Sequence, residues 1–393
     1  MKLDLTKKYK VAYVAGSRAD YGIVRHYLKL LTKDCQVKLS ILVTGSLLDE
    51  TYGYQVRLIE DDGFQIESKI AIPIKTSSNA DVLHSMAVAL DKFGGFFQTS
   101  KYDLLIILGD RYEMMSVSIA AAMQRIPILH LHGGEATYAN YDEFIRHSIT
   151  KMSMYHFTAT EEYKQRVIQL GEAPERVFNM GALGAENCCN IDEENVDSSV
   201  KQLETKKYFV VLFHPETITD VDVLEQTKEL LCALEKFSGY KFVFIGANAD
   251  TYSDKIRQEV NLFVSEHSNA LYYENLHTDA YHYLLKNSMG LIGNSSSGII
   301  EAPSLGIYTV NIGDRQKGRV RGNSVIDVKC ETGEICWAIE QILDKCDNAN
   351  IDNPYYQKNA SNNYYIRTME ILEKVSEDKK EPKVFYDYDT SLK

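Results

Sequence analysis

Two segments of the chain combine small residues with groups that bind anions, and each follows a short apolar run. In the first, Gly16–Asp20 comes after Val11–Ala15 and before a predicted helix, so Arg18 and the N–H groups of that helix could hold a diphosphate. In the second, Asn294–Gly298 offers serine hydroxyls and backbone N–H groups. Glu301, one turn further on, could accept two neighbouring hydroxyls, such as those of a ribose. An ordinary β–α turn and a serine-rich helix cap are the alternative interpretations.

A third segment concentrates positive charge. Arg315, Lys317, Arg319 and Arg321 occupy alternate positions of a glycine-containing loop. The whole chain has 43 basic and 55 acidic residues and a formal charge of −12, so this loop is a local inversion of sign. We interpret it as a clamp for a phosphate and a uracil, with a solvated basic loop as the alternative.

Groups with acid–base potential end two other apolar runs. Residues 104–108 are followed by Asp110 and Arg111, and a carboxylate beside a guanidinium is a candidate general acid or base whose pKa the neighbour adjusts. His214 follows the run 208–213 and precedes a proline, which predicts an extended residue that faces the same cleft. A salt-bridged turn and a structural histidine are the alternatives.

The segment from His130 to Glu135 is the densest in reactive groups. His130 and His132 share one face of a strand, a spacing that two metal ligands could use, but no third ligand follows at a matching spacing, so no metal site is predicted. Asp142 and Glu143 come shortly after. Several carboxylates around one pocket could share proton transfer, because their mutual repulsion drives their pKa values apart.

All these segments stand at the ends of predicted strands. Short apolar runs alternate twice with amphipathic helices, a rhythm typical of parallel sheets covered by helices. The sequence therefore predicts an α/β protein with two Rossmann-like, doubly wound domains that face a central cleft. We place the first domain at 1–190, the second at 191–375 with its last helix at 363–375, and a polar tail at 376–393. Ligands of such sheets bind at the carboxyl ends of the strands, so every segment above should face the cleft.

Composition excludes several classes of protein. The acidic charge argues against nucleic acid or an anionic membrane as the main partner, and no run approaches the ~20 apolar residues of a membrane span. The N-terminus lacks the apolar core of a signal peptide. The seven cysteines include no CxxC pair and indicate neither a zinc ribbon nor a disulfide framework. A cytoplasmic protein with reduced thiols is therefore expected.

Together these segments resemble one family, the hydrolysing UDP-N-acetylglucosamine 2-epimerases, in the branch of bacterial sialic acid biosynthesis. The matching motifs run in order over most of the chain: GSRADYG at 16–22, LGDRYE at 108–113, HLHGGE at 130–135, YDEFIRHSITKMS at 141–153, EEYKQRVIQLGE at 161–172, FHPET at 213–217, IGANAD at 245–250, GLIGNSSSGIIEAPSLG at 290–306 and NIGDRQKGRVRG at 311–322. The resemblance implies the GT-B-like fold of two-domain glycosyltransferases, in agreement with the pattern above.

The resemblance also implies a reaction, in which UDP-GlcNAc and water give N-acetylmannosamine and UDP. UDP leaves by elimination across C1–C2 and forms 2-acetamidoglucal; water then adds at C1 while a proton returns to the opposite face of C2. The family needs neither metal nor NAD, so no cofactor is expected. It further implies a homodimer or homotetramer.

Residue by residue, the resemblance assigns contacts with UDP. They are Arg18, Arg111, His214, Asn248, Leu276 (through its backbone), Ser295, Ser296, Ser297, Gly298, Glu301, Arg315 and Arg319. The catalytic candidates are Asp110, His132, Glu135, Asp142, Glu143 and His214. Of the acidic pair 142–143, either residue could be the one in register with the family. Many members of the wider family have a glutamate where this chain has His132, which leaves open whether His132 or Glu135 acts at C2.

Three alternatives keep the same nucleotide pocket. A 2-epimerase for UDP-N,N'-diacetylbacillosamine would differ only in residues that face the sugar. A GT-B glycosyltransferase would use an acceptor in place of water. A non-catalytic UDP-sugar sensor is the third, and the cluster of acidic residues argues against it. Release of free UDP and N-acetylmannosamine without an acceptor separates the transferase from the epimerase.

Overall fold

Two parallel β-sheets organise the chain in the computed structural model, which describes residues 8–75, 77–218, 221–246, 250–345, 350–378 and 380–387. The first sheet consists of β1 (Tyr9–Ala15), β2 (Val37–Val43), β3 (Ile66–Lys69), β4 (Leu104–Leu108), β5 (Ile128–Leu131), β6 (Tyr155–Thr158) and β7 (Val177–Asn179). These strands pair in parallel in the order β3-β2-β1-β4-β5-β6-β7.

The second sheet repeats this plan. It consists of β8 (Tyr208–Leu212), β9 (Lys241–Ile245), β10 (Ala270–Tyr273), β11 (Leu291–Gly293), β12 (Thr309–Ile312) and β13 (Val325–Val328). Their order is β10-β9-β8-β11-β12-β13, again with parallel pairing. The direction of winding reverses between β1 and β4 and between β8 and β11, which is where doubly wound sheets open a crevice for ligands. The predicted fold of two doubly wound domains is therefore confirmed.

Helices cover both sheets. They are α1 (Arg18–Lys33), α2 (Arg57–Asp61), α3 (Asn79–Thr99), α4 (Tyr112–Met123), α5 (Asp142–Met152), α6 (Glu161–Gln169), α7 (Leu183–Asn187), α8 (Ser198–Lys201), α9 (Val223–Glu235), α10 (Ser253–Glu266), α11 (Thr278–Asn287), α12 (Ser297–Ile300), α13 (Thr332–Lys345) and α14 (Ala360–Asp378). Single turns of 3₁₀-helix lie at Gly45–Leu48, Glu50–Tyr52, Pro174–Arg176, Glu193–Asn195 and Ala302–Leu305. None of the helices in these described ranges is long and apolar enough to cross a membrane.

The first sheet has a hydrophobic core on each of its two faces. Val11 and Tyr13 of β1 belong to one buried cluster, whereas Ala12 and Val14 belong to the cluster on the opposite face, because successive side chains of a strand point to opposite sides. Strand β4 is buried at every position. Burial on both faces explains why the strands read as continuous apolar runs rather than as alternating patterns.

The final helix packs differently from what the predicted domain assignment implies. The sequence places residues up to 375 in the second domain, but α14 packs against α1 and the first sheet, with the ring of Tyr364 4.9 Å from that of Phe157. An amphipathic pattern marks which helix face is buried but not which domain it is buried against. The chain thus returns to the first domain near its end, while the division near residue 190 stays a prediction.

The predicted tail also lies partly against the first domain. Residues up to Asp378 belong to α14, and residues 380–387 follow it across the surface. Lys383 Nζ lies 2.6 Å from Glu172 Oε2, and the Tyr386 N–H donates to the Gly171 carbonyl oxygen at 2.9 Å. These contacts attach the described part of the tail to the outer edge of the first domain.

Candidate active site

The carboxyl ends of both sheets open onto one cavity. Loops that follow β1, β4 and β5 of the first domain line it, and so do loops that follow β8, β11 and β12 of the second. The predicted site residues in its lining are Arg18, Asp110, Arg111, His132, Glu135, Asp142, His214, Leu276, Ser295, Ser296, Ser297, Glu301, Arg315 and Arg319. The topology therefore brings together residues that are as far apart in the sequence as Arg18 and Arg319, as expected for strand ends of two facing sheets.

Of the acidic pair that opens α5, one residue faces the cavity and the other turns away. Asp142 lines the cavity. Glu143 instead accepts from the Thr137 N–H at 2.6 Å, and its second oxygen lies 3.1 Å from His147 Nε2. Neighbouring residues on a helix point about 100° apart, and here the rotation of α5 directs only the first of the two into the cavity. Asp142 is the residue of the pair that can meet a substrate.

Among the described residues, one predicted contact residue, Gly298, does not line the cavity. Gly298 packs against β12, where a Cβ would lie 2.5 Å from a methyl carbon of Thr309. This close approach of α12 to the sheet gives a packing reason for the glycine. Asn248 lies outside the described residues.

A carboxylate in the second domain shapes the basic loop that follows β12. Glu216 Oε1 accepts from the N–H groups of Asp314 and Arg315 at 2.7 and 3.1 Å. Arg315 and Arg319 both line the cavity. Lys317, in contrast, pairs with Asp314 at 3.1 Å with most of its side chain exposed. Part of the predicted basic clamp is therefore solvated, and Glu216, for which no role was predicted, holds two backbone N–H groups of the loop.

A buried amide joins the loops of the second domain. Asn294 Oδ1 accepts from the His214 N–H at 2.7 Å, and its Nδ2 donates to the His214 carbonyl oxygen at 2.8 Å. The Asn294 carbonyl oxygen accepts from Arg315 Nη1 at 3.2 Å and from Gln316 Nε2 at 2.8 Å. These bonds connect the loops that follow β8, β11 and β12. The sequence marks Asn294 only as the start of the serine loop, since its partners lie more than 20 positions away.

Arginine side chains from both domains converge on the cavity. Arg18 of α1 donates to the carbonyl oxygen of Leu276 in the second domain. Arg111 Nε donates to buried Glu113 at 2.6 Å, and Arg315 is anchored as described above. The cavity thus concentrates guanidinium groups in a chain whose formal charge is −12, and these groups can neutralise an anionic ligand.

His214 enters this basic region as a neutral ring. Only 3% of it is exposed, and burial, followed by the charge of Arg315, lowers the pKa of His214 to about 3. The imidazole is therefore uncharged at neutral pH and acts as a hydrogen-bonding group. Among the described residues, its Nδ1 has no hydrogen-bond partner, so this atom is available to a ligand.

A fully buried arginine organises the carboxylates of the first domain. Arg146 is 0% exposed, and its Nε donates to Asp110 at 2.7 Å. It also donates to Thr137 Oγ1 at 2.8 Å, to the Glu135 carbonyl oxygen at 2.9 Å and to Glu143 at 3.0 Å. The sequence identified Arg146 only as a neighbour of the acidic pair. Its spacing of three residues from Glu143 on one helix was the available signal.

The HLHGGE segment gives its two histidines different environments. His130 uses both ring nitrogens, at 2.8 Å from the Gly109 carbonyl oxygen and 3.1 Å from Thr150 Oγ1, and burial lowers its pKa to about 3. His132 has the unusual φ of +65° and lines the cavity. Its Nδ1 lies 3.2 Å from Glu135 Oε1. His130 therefore supports the sheet, and His132 is the histidine that can meet a substrate.

The carboxyl groups of the cavity differ in their acidity. Burial alone would raise the pKa of Glu135, but the contacting Arg319 and the nearby His132 lower it well below the usual range. Burial, and then repulsion by Asp110, raises the pKa of Asp142 to about 7. Asp20, to which the sequence assigned no role, is raised to a pKa of about 7 mainly by burial. Environments that separate pKa values in this way are typical of acid–base catalysis.

Asp20→Asn should change the pH dependence of folding. The folded state holds the Asp20 proton up to a pKa of about 7, whereas an unfolded aspartate loses it at about pH 3.9. The protonated carboxyl of Asp20 therefore stabilises the folded wild-type protein at low pH, and this contribution is lost as the pH rises from about 4 to about 7. Asparagine has no such proton. The free energy of unfolding of the variant minus that of the wild type should therefore be larger at pH 8 than at pH 4.5. Urea denaturation at the two pH values measures this difference.

The matched control for this comparison is Asp61→Asn, a change at an exposed position at the end of α2. Its difference from the wild type should be the same at both pH values. A stability difference for Asp20→Asn that does not change with pH would contradict the raised pKa of Asp20 in the folded protein.

Comparisons with known proteins agree with these features. A family model described as UDP-N-acetylglucosamine 2-epimerase matches residues 29–368. Polysialic acid biosynthesis protein P7 of Escherichia coli is 48% identical over 387 residues, which cover 96% of this chain and 97% of that protein. The GDP/UDP-N,N'-diacetylbacillosamine 2-epimerase (hydrolyzing) of Campylobacter jejuni is 34% identical over 342 residues, or 86% of this chain and 88% of that protein.

Solved structures share the fold. UDP-GlcNAc 2-epimerase from Neisseria meningitidis, bound to UDP-GlcNAc, has a TM-score of 0.75 at 19% identity and covers 93% of this chain and 100% of its own. The enzyme from Methanocaldococcus jannaschii, in complex with UDP-GlcNAc and UDP, has a TM-score of 0.76 at 17% identity and covers 93% and 99%. With a family model that matches most of its length, this chain belongs to the UDP-N-acetylglucosamine 2-epimerase family.

Proposed function

We propose that this protein is a hydrolysing UDP-N-acetylglucosamine 2-epimerase, which converts UDP-GlcNAc and water to N-acetylmannosamine and UDP for sialic acid biosynthesis. One observation carries the proposal: a single cavity joins guanidinium groups and a serine loop, suited to a nucleoside diphosphate, to a cluster of carboxyl groups suited to proton transfer. The relative at 48% identity, whose name refers to polysialic acid, supports the pathway.

The second domain supplies the nucleotide end of the cavity. The hydroxyls of residues 295–297 and the guanidinium of Arg315 suit the diphosphate. Glu301 is 9% exposed, with one oxygen 3.7 Å from His282 Nε2. Its other oxygen, Oε1, lies against Gly184, where a Cβ added to that glycine would be 2.7 Å from the oxygen. This confined carboxylate would accept hydrogen bonds from the two ribose hydroxyls.

The first domain supplies the sugar end, where epimerisation needs a proton acceptor and a proton donor on opposite faces of C2. Asp110, oriented by Arg146, is assigned as the carboxylate that removes the proton. Asp142, whose raised pKa of about 7 keeps it partly protonated at neutral pH, is assigned as the acid that returns a proton to the other face. A group that titrates near the working pH is effective in this role.

Hydration of the intermediate needs a base for water. His132 lines the cavity, and among the described residues its Nε2 has no hydrogen-bond partner, while its Nδ1 lies 3.2 Å from Glu135. Glu135 is held ionised by Arg319, which makes it a weak base but a good partner for an imidazolium. In this proposal His132 takes the proton of the water that adds at C1, and Glu135 positions the ring.

Deuterium labelling tests the proposed function. UDP-GlcNAc is incubated with the protein in deuterated water, without any acceptor sugar, and the products are followed by NMR. The expected products are free UDP and N-acetylmannosamine with deuterium at C2. Retention of protium at C2 would contradict elimination, and a requirement for an acceptor would instead indicate a glycosyltransferase.

A second candidate substrate is UDP-N,N'-diacetylbacillosamine. Relatives named for that substrate are 34% identical to this chain over 86% of its length. The nucleotide contacts would be the same, so only turnover separates the two. Comparison of kcat/KM for the two UDP-sugars decides between them, and we expect the higher value for UDP-GlcNAc.

Arg315→Ala should weaken UDP binding. The guanidinium is buried in the cavity and anchored on the Asn294 carbonyl oxygen, and a lost hydrogen bond to a charged group costs about 1.5–3 kcal/mol. The dissociation constant for UDP, measured by calorimetry, should therefore rise about 10- to 100-fold. Lys317→Ala removes a charge from the same loop at an exposed position and should change the constant less than about twofold. Equal affinities for Arg315→Ala and the wild type would remove Arg315 from the clamp.

We also propose that the chain forms a homodimer or homotetramer. Leu83 and Leu90 on α3 are 64% and 39% exposed, and Met123 at the end of α4 is 80% exposed. Helices α3 and α4 are neighbours, and a contiguous apolar patch on such a surface is typical of packing against another subunit. Sedimentation velocity should give a mass at least twice that of one chain, and a monomer at micromolar concentration would contradict the proposal.

A further inference from the structure

One carboxylate stands among the basic groups of the cavity. Asp250 lines the cavity, and its side chain is 19% exposed. Its Oδ1 lies 3.6 Å from Arg111 Nη1, and its Oδ2 lies 3.6 Å from Arg315 Nη2 and 3.9 Å from His214 Nδ1. An anionic group therefore occupies the middle of the region that we assign to the diphosphate.

These contacts leave two buried nitrogen atoms of the second domain without a hydrogen-bond partner among the described residues. All three distances exceed the 2.7–3.2 Å that is usual for an N–H···O hydrogen bond. Among the described residues, His214 Nδ1 and Arg315 Nε have no hydrogen-bond partner although both are buried. A buried guanidinium N–H such as that of Arg315 Nε is costly to leave without a partner. The region is thus built for a larger or more closely placed anion than the Asp250 carboxylate.

Each of the two guanidinium groups also has a partner other than Asp250. Arg111 donates to Glu113 at 2.6 Å, and Arg315 donates to the Asn294 carbonyl oxygen at 3.2 Å. The backbone N–H of Arg315 is held by Glu216. Removal of the Asp250 charge should therefore leave both arginines in the cavity.

We propose that Asp250 is an internal competitor of the diphosphate, which occupies the anion position in the free enzyme and promotes release of UDP. This inference rests on the proposed function, because hydrolysis produces free UDP that must leave before the next turnover. A carboxylate and a diphosphate that share the same guanidinium groups repel each other, so in this proposal Asp250 turns away when UDP binds and returns to the arginines when UDP leaves. Its charge raises the dissociation constant of UDP.

The test compares Asp250→Asn with the wild type in calorimetric titrations with UDP, inorganic pyrophosphate and uridine. Asparagine keeps the size of the side chain and removes its charge. The variant should bind UDP and pyrophosphate about tenfold more tightly and uridine with unchanged affinity. The inhibition constant of UDP as a product should fall by the same factor.

The matched control is Asp254→Asn, which removes a charge four residues further on, from a half-exposed side chain in the first turn of α10. It should leave the three affinities unchanged. If Asp250→Asn folds poorly, Asp250→Ser serves as a second variant without the charge. It should show the same tighter binding of UDP and pyrophosphate that is expected of Asp250→Asn.

Each other outcome has a definite meaning. Weaker binding of UDP and pyrophosphate by Asp250→Asn would show that Asp250 positions the arginines, and unchanged binding would show that its charge does not reach the ligand. An equal gain for uridine would show that the effect is not directed at the diphosphate. All three results overturn the inference. If the wild type binds pyrophosphate but neither UDP nor UDP-GlcNAc, the proposed function fails while the pyrophosphate comparison still tests Asp250.

Discussion

Asp110→Asn should lower kcat by about 10²–10⁴-fold while the dissociation constant for UDP changes less than about threefold. The amide cannot accept the C2 proton, but it keeps an oxygen for the hydrogen bond from Arg146 Nε. The nucleotide contacts come mainly from the other domain, so they should be retained. Steady-state assays of UDP release with UDP-GlcNAc give kcat, and calorimetry gives the affinity for UDP.

Two comparisons make this result specific. Asp61→Asn, the exposed change used above, should have wild-type kcat. Thermal unfolding should show that Asp110→Asn is folded at the assay temperature. If Asp110→Asn turns over near the wild-type rate, Asp110 is not catalytic and the assignment of the base passes to another carboxylate of the cavity.

Arg146→Met should destabilise the protein by about 3–5 kcal/mol, because removal of one partner from a buried ion pair leaves the other uncompensated. Arg146 is entirely buried and contacts Asp110, Glu143, Thr137 and the Glu135 backbone. Methionine fills a similar volume but donates no hydrogen bond. Urea denaturation measures the loss of stability, and kcat below the unfolding transition should fall as well because Asp110 loses its orientation.

Arg367→Met is the matched control for Arg146. Arg367 makes an exposed ion pair with Glu370 on α14, and such pairs contribute about 0–1 kcal/mol. A loss of less than about 1 kcal/mol for Arg146→Met would mean that the carboxylates rearrange around the missing charge. Arg146→Lys, which keeps the charge but not the forked geometry, should fall between the two variants.

The sequence predicted the residues that directly follow strands with most success. Parallel strands end at one edge of a sheet, so a short apolar run marks both the strand and the position of its loop. Arg18, Asp110, His132, His214 and Ser295 were found in this way, and all line the cavity. The edge strand β3, in contrast, has the sequence IESK and is partly exposed, so it lacked the apolar signal that identified the central strands.

Residues that act through distant contacts could not be predicted. Glu216 holds backbone N–H groups almost 100 positions away, and Asn294 bonds to His214, 80 positions away. A single sequence does not encode such pairs as a pattern. The choice between Asp142 and Glu143 also needed the structure, because it depends on the rotation of α5 about its axis. The net charge of −12 also gave no indication of a basic cavity, because the attraction of an anionic ligand depends on the charged groups that face it.

The return of α14 to the first domain gives the chain two covalent crossings between its domains, one near the predicted boundary at residue 190 and one before Ala360. Two crossing points define a line, and rotation about that line leaves the length of both crossings unchanged. We therefore expect rotation about that line to be less restrained than twisting or sliding of one domain against the other. A fragment that stopped near residue 190 would also lack the cover that Tyr364 gives to Phe157, so one cut cannot separate the protein into two intact domains.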